Sequence, residues 1–251
     1  MLDRQYVYFP TPWQEQDWCA ASGLPLEEVW FHASDGTQLF GWYVPAPSAA
    51  ATLLWCHGNA GSIIDRLENL MLLNRHGLSA FVFDYRGYGR SQGSPTEEGL
   101  YQDALAAYDW LTAQKGIAAE SLILFGRSLG AAVAGELARK RRAAGLVLEG
   151  AFPSVEAVAR RAFHGLPAHW LVRARFDLAS RLKEVRMPLL VIHGERDTVI
   201  PLELGRAVYE AANEPKEFYA VPGADHNDTT LTGGAPYFQR LLKFARQVIS
   251  C

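Results

Sequence analysis

Short apolar runs alternate with amphipathic stretches along this chain, and the period of each stretch predicts its element. Glu27–Ala33 and Gln38–Pro45 read as two paired strands, with Ser34-Asp35-Gly36-Thr37 as the turn between them. Six further runs are short and nearly all apolar, as strands covered on both faces of a parallel sheet are: Thr52–Cys56, Ser79–Phe83, Ser121–Phe125, Gly145–Leu148, Leu189–His193 and Glu217–Val221. Helical segments fall between them. One follows Ser62 and closes at Gly77. The next has Ser94 as cap, Pro95 as first helical residue and Glu97 completing a capping box. Leu100, Ala104, Ala107, Tyr108 and Leu111 then recur at helical spacing until Lys115-Gly116. A third runs from Ser128 to about Arg142, and the last begins near Ala235. Strands alternating with helices predict an α/β fold: a mostly parallel eight-stranded sheet with helices on both faces. Between Leu148 and Leu189 the chain spends about forty residues, too many for a simple connection. Residues 152–187 are therefore expected to form a small helical cap inserted into a single domain, 1–251.

Composition narrows the function classes. The chain has 251 residues, 49% hydrophobic and 20% charged, with a net charge of −3, so it is neither disordered nor a strongly basic nucleic-acid binder. No run approaches the roughly 18 apolar residues of a membrane span, and Met1–Pro12 lacks the basic start and apolar stretch of a secretory signal. Three cysteines without a CxxC pair fit a reducing compartment. The expectation is a cytoplasmic protein with no transmembrane segment and no nucleic-acid partner.

The chemistry concentrates at Gly126-Arg127-Ser128-Leu129-Gly130, which follows an apolar run and opens a helix. That context makes G-x-S-x-G a nucleophile turn, with the serine hydroxyl exposed on a strained strand-to-helix corner. A serine hydroxyl needs a base. Of the histidines beyond Ser128, His193 ends a strand, His164 and His169 fall in the cap, and His226 lies in the loop after the final strand. His226 is the expected base. The orienting acid is expected on the loop after Leu189–His193, where Asp197 is the choice and Glu195 the alternative. Asp225 and Asp228 lie too near His226 in sequence to approach its ring and read as turn residues. Oxyanion donors are expected from the backbone N–H groups of Leu129 and of Asn59 in His57-Gly58-Asn59-Ala60-Gly61. No metal motif or P-loop is present, so no metal or cofactor is expected.

The chain resembles the α/β-hydrolase superfamily, in particular the abhydrolase-domain group that takes in the Bem46-like proteins and the eukaryotic protein depalmitoylases. The resemblance rests on Tyr8-Phe9-Pro10, Glu28–Phe31, Asp35-Gly36, Gly41–Pro45, His57–Gly61, Asp84–Gly89, Gly126–Gly130, His193-Gly194 with Asp197, and His226. It implies a serine hydrolase acting through an acyl-enzyme on a carboxylic ester or thioester. It also implies that Asp84 and Arg86 anchor their loop. A peptidase or amidase, or a non-catalytic ligand-binding protein on the same scaffold, are the alternatives.

Two further signals bear on the substrate. Residues 152–187 hold seven Arg/Lys against three acids, which suits an anionic or amphiphilic acyl substrate as well as a solvated surface. Phe152, Phe163 and Trp170 are the candidates to line an apolar pocket. Arg139-Lys140-Arg141-Arg142 ends a helix, where cations complement the dipole.

Overall fold

The two paired strands and the six apolar runs all become strands of one sheet in the computed structural model, which describes residues 7–15, 18, 22–162 and 173–249. In chain order the strands are β1 (Phe9–Pro10), β2 (Glu27–His32), β3 (Gln38–Val44), β4 (Ala51–Cys56), β5 (Ala60–Gly61), β6 (Leu78–Asp84), β7 (Leu122–Arg127), β8 (Gly145–Glu149), β9 (Leu189–Gly194) and β10 (Lys216–Val221). The large sheet runs β10-β9-β8-β7-β4-β6-β3-β2. β3 pairs antiparallel with both β2 and β6, and the other pairings are parallel. Alternation sends Leu54 and Cys56 of β4 into one apolar layer, and Leu53 and Trp55 into the layer on the other face.

The helices are α1 (Leu67–Arg75), α2 (Glu97–Asp109), α3 (Leu129–Lys140), α4 (Val155–Ala162), α5 (Leu178–Leu182), α6 (Leu202–Ala211) and α7 (Thr229–Ile249). α7 breaks at Gly234, whose φ is 48°, so the long terminal segment restarts at Ala235 as its sequence predicts. α2 differs from expectation at its start. Thr96, not Ser94, is its cap, with the threonine hydroxyl accepting from Gly99 N–H at 3.1 Å. Pro95 instead packs over Gly87, where an added Cβ would come within 2.7 Å of its ring. Glu97 is thereby released from capping. Its carboxylate accepts from the N–H groups of Arg175 (2.6 Å) and Phe176 (2.9 Å), tying the end of the long β8–β9 connection to α2.

The expected loop anchors are in place. Arg86 donates through Nε and one terminal nitrogen to Asp103 Oδ1 at 2.9 and 2.8 Å, and through the other terminal nitrogen to Asp35 Oδ2 at 2.8 Å. The short parallel ladder of β1 with β5 pairs Phe9 with Ala60 and Pro10 with Gly61. It fastens the amino-terminal segment to the loop after β4. Among the described residues, no helix is long and apolar enough to cross a membrane.

Candidate active site

The strand order places the ends of β4, β7, β8 and β9 side by side, and the site lies at those ends. Ser128 stands between β7 and α3 with φ 53° and ψ −119°, a conformation that normally favours glycine. Such a residue costs on the order of 1–3 kcal/mol and must be held by its surroundings. Its N–H donates to Glu149 O at 2.8 Å, and its carbonyl accepts from Ala131 N–H at 2.9 Å. The flanking glycines permit the corner. A Cβ on Gly130 would lie 2.0 Å from the Cys56 carbonyl oxygen, and one on Gly126 would lie 2.4 Å from Gly130 O.

His226 bridges the other two candidates. Its Nδ1 lies 2.7 Å from Asp197 Oδ2, and its Nε2 lies 3.1 Å from Ser128 Oγ. The second carboxylate oxygen of Asp197 accepts from the N–H groups of Val199 (3.0 Å) and Ile200 (2.6 Å), so the acid is fixed from both ends. Glu195 points elsewhere, accepting from Gly223 N–H at 3.2 Å. His193 is fully buried. Burial pushes its pKa down, and its Nε2 donates to Ile200 O at 2.7 Å, behind Asp197. Gly150 makes room for the base, since a Cβ there would come within 3.0 Å of His226 Cε1.

Several contributors were not apparent in the sequence. Asp225 does more than form its own turn. Its carboxylate accepts from Thr198 N–H and His226 N–H, each at 2.7 Å, joining the loops that carry acid and base. Arg127 pairs through Nε with Glu149 at 3.2 Å and donates to the His226 carbonyl at 2.8 Å. Glu149 in turn accepts from the hydroxyls of Thr229 (2.6 Å) and Tyr237 (2.5 Å). A fully partnered buried network of this kind holds the His226 loop in one register. The only sequence signal for it was a lone carboxylate closing the apolar run of β8.

Asn59 is held at three points: its carbonyl accepts from Phe9 N–H (2.9 Å) and the Tyr88 hydroxyl (2.8 Å), and its amide donates to Val7 O (3.1 Å). Leu129 opens α3, so its N–H has no intrahelical acceptor. Both residues line a cavity of about 320 Å³ together with Ser128 and His226. Phe152, Val155 and Val158 form an apolar wall of it, with Val199 and Ile200 beside them. Phe163 and Trp170 lie outside the described residues. A larger cleft of about 760 Å³ sits at the opposite sheet edge, around Pro188, Leu189 and Pro215. Its described lining contains no serine, cysteine or histidine. Among the described residues, no three His, Cys, Asp or Glu side chains converge as a metal site requires.

Beneath the Asn59 loop, burial pushes Asp84 up to about 7 and His57 down to about 3. Asp84 holds neighbouring loops by accepting from Ile63 N–H at 2.9 Å. The two groups act on stability with opposite sign. Between about pH 6.5 and 3 the unfolded chain protonates His57 while the folded chain does not, so stability falls as pH drops. Between about pH 4 and 7 the folded chain retains the Asp84 proton that the unfolded chain has lost, so stability falls as pH rises. Asp84→Asn removes the second slope. Its thermal midpoint, measured from pH 4.5 to 6.5, is expected to climb more steeply than that of the parent, by up to about 1.4 kcal/mol of stability per pH unit. Parallel profiles would contradict a protonated Asp84.

A family model described as serine aminopeptidase, S33, matches residues 47–179. An uncharacterized protein of Mycobacterium tuberculosis is 38% identical over 244 residues, covering 96% of this chain and 86% of that relative. The alpha/beta hydrolase domain-containing protein WAV2 of Arabidopsis thaliana is 30% identical over 246 residues, covering 90% of this chain and 80% of WAV2. The chain belongs to this α/β-hydrolase family. The hydrolase also shares its fold with the esterase Pf2001 of Pyrococcus furiosus, at a TM-score of 0.78 and 20% identity, covering 96% of this chain and 99% of that one. The α/β hydrolase GrgF of Penicillium sp. sh18 superposes at a TM-score of 0.75 and 19% identity, covering 91% of this chain and all of GrgF. The eight-stranded, mostly parallel sheet of the hydrolase is thus the family's architecture, as its sequence pattern predicts.

Proposed function

We propose that this hydrolase cleaves carboxylic esters or thioesters through an acyl-enzyme on Ser128. The observation that carries the reading is the His226 bridge, 2.7 Å from Asp197 and 3.1 Å from Ser128. In this mechanism Ser128 Oγ attacks the acyl carbon as its proton passes to His226 Nε2. The Asp197 carboxylate accepts from Nδ1–H, which keeps Nε2 basic and stabilises the imidazolium that forms. The N–H groups of Leu129 and Asn59 are assigned to the oxyanion. His226 then returns its proton to the departing alcohol or thiol. In the second half it takes a proton from water, whose oxygen attacks the acyl carbon, and returns that proton to Ser128 Oγ as the carboxylic acid leaves.

Phe152, with Val155 and Val158, supports an apolar acyl pocket, and residues 152–187 are read as its cap on a single domain, 1–251. A cytoplasmic setting belongs to the same proposal, supported by the free, buried thiol of Cys56. The description of the matching family model favours a second reading, an aminopeptidase. An aminopeptidase must hold a protonated amine, yet the described lining of the cavity contains two arginines and no carboxylate. The charge therefore favours the ester reading. A panel of p-nitrophenyl esters, acyl thioesters and aminoacyl amides decides between them. Turnover of esters or thioesters at the highest kcat/KM is expected, and preferential cleavage of the aminoacyl amides would replace the proposal with the aminopeptidase.

A further inference from the structure

Two guanidinium groups line the cavity around Ser128, and they differ in their partners. Arg127 is neutralised by Glu149 and spent on the His226 loop. Arg66, at the end of the short turn Ile63–Arg66, makes no ion pair among the described residues. Its one hydrogen bond there runs from a terminal nitrogen to Ala60 O at 2.5 Å, and its Nε is buried without a partner. The carboxylates of Asp65 and Asp84 attract it from nearby, but neither forms an ion pair with it among the described residues, and Asp65 accepts instead from Ser62 N–H at 2.7 Å. Burial and the nearby charge of Arg127 push the Arg66 pKa down against the weaker attraction of Asp65 and Asp84, as for a desolvated cation with no counter-ion in contact. Such a group is costly to keep in a folded chain unless something completes it.

The sheet order tells where Arg66 sits relative to the apolar wall. Ser128 follows β7. Phe152, Val155 and Val158 follow β8, on one side of it, whereas Arg66 belongs to the segment after β4, on the other. The nucleophile lies between an apolar surface and an unpaired cation.

We propose that Arg66 is the binding site for a carboxylate or phosphate carried by the substrate, on the side of the scissile bond opposite the apolar acyl group. The inference rests on the ester-cleaving reading for its orientation, and it names the substrate class: an apolar acyl group joined to an anionic alcohol or thiol. A guanidinium can offer two parallel N–H donors to such an anion, a geometry that lysine does not reproduce.

The test uses matched pairs of esters. The first is 4-butyryloxybenzoate against its methyl ester, and the second is 4-butyryloxyphenyl phosphate against its dimethyl phosphate. The wild-type protein is expected to favour the anionic member of at least one pair by roughly tenfold or more in kcat/KM, mainly through KM. The pair with the larger ratio identifies carboxylate or phosphate as the anion. Arg66→Gln is expected to abolish that ratio, and Arg66→Lys to keep part of it. A wild-type protein that is indifferent to the charge, or that prefers both neutral esters, overturns the inference, and this arm needs no variant to fold. So does an Arg66→Gln protein that keeps the wild-type ratio. Binding of the same intact esters to Ser128→Ala, with and without Arg66→Gln, is measured by calorimetry. Arg66-dependent binding of the anionic ester without wild-type turnover sinks the ester reading alone. Turnover without an Arg66-dependent preference sinks this inference alone.

Discussion

Ser128→Ala is expected to lower kcat/KM on a short p-nitrophenyl ester by roughly 10⁴-fold or more, because groups that act as a unit fail together. The fold should survive. Alanine at this corner retains the strained φ of 53° and keeps the backbone bonds to Glu149 and Ala131. What it removes is the hydroxyl 3.1 Å from His226 Nε2. Glycine would be a poorer control, since it relieves the backbone strain as well as deleting the hydroxyl. Two measurements check the outcome: ester turnover of the purified variant, and labelling by a fluorophosphonate probe, which should mark the wild-type protein at Ser128 and leave the variant unmarked. Wild-type turnover in a folded Ser128→Ala protein, or labelling at another residue, would remove Ser128 from the mechanism.

Asp197→Asn is the second large effect, with an expected loss of roughly 10⁴-fold in kcat. The asparagine carbonyl can still accept from Val199 and Ile200, so the loop keeps its shape. Its amide would then face His226 Nδ1, where Asp197 Oδ2 now lies at 2.7 Å. That amide donates, so it selects the tautomer with the proton on Nε2, and the nitrogen facing Ser128 can no longer act as a base. Glu195→Gln is the matched control. Its carboxylate touches only the exposed Gly223 N–H among the hydrogen bonds described, and turnover should stay close to that of the parent. The reverse pattern, with Glu195→Gln crippled and Asp197→Asn normal, would move the acid to Glu195.

Much of this molecule could be read from local pattern. Six strands of the main sheet were visible as short apolar runs, because cover on both faces leaves little room for polar residues, and the first two as a pair joined by a turn signal. Ser128, Asp197 and His226 were visible because each stands just beyond a strand end, and a parallel sheet gathers the ends of its strands at one edge. The aromatic content of the long β8–β9 connection also suggested Phe152, which does line the cavity. The start of α2 was misread for a related reason. Ser94 and Thr96 offer similar hydroxyls, and only the packing of Pro95 over Gly87 selects Thr96.

The remaining features depend on which strands are neighbours, and sequence spacing carries no record of that. Arg127 meets Glu149 because β7 lies beside β8, and it meets the His226 carbonyl because the last loop folds back over both. Asp225 reaches Thr198 across 27 residues of chain. Nothing in the local sequence marks Arg66, and only its tertiary surroundings reveal that it is desolvated, without an ion pair among the described residues, and lining the same cavity as Ser128. The sequence by itself therefore determined the sheet, its helices and the chemical groups at the strand ends, because these follow from periodicity and from residue type. Tertiary structure decided which of the charges around the site are paired, because that depends on distances between segments far apart in the chain.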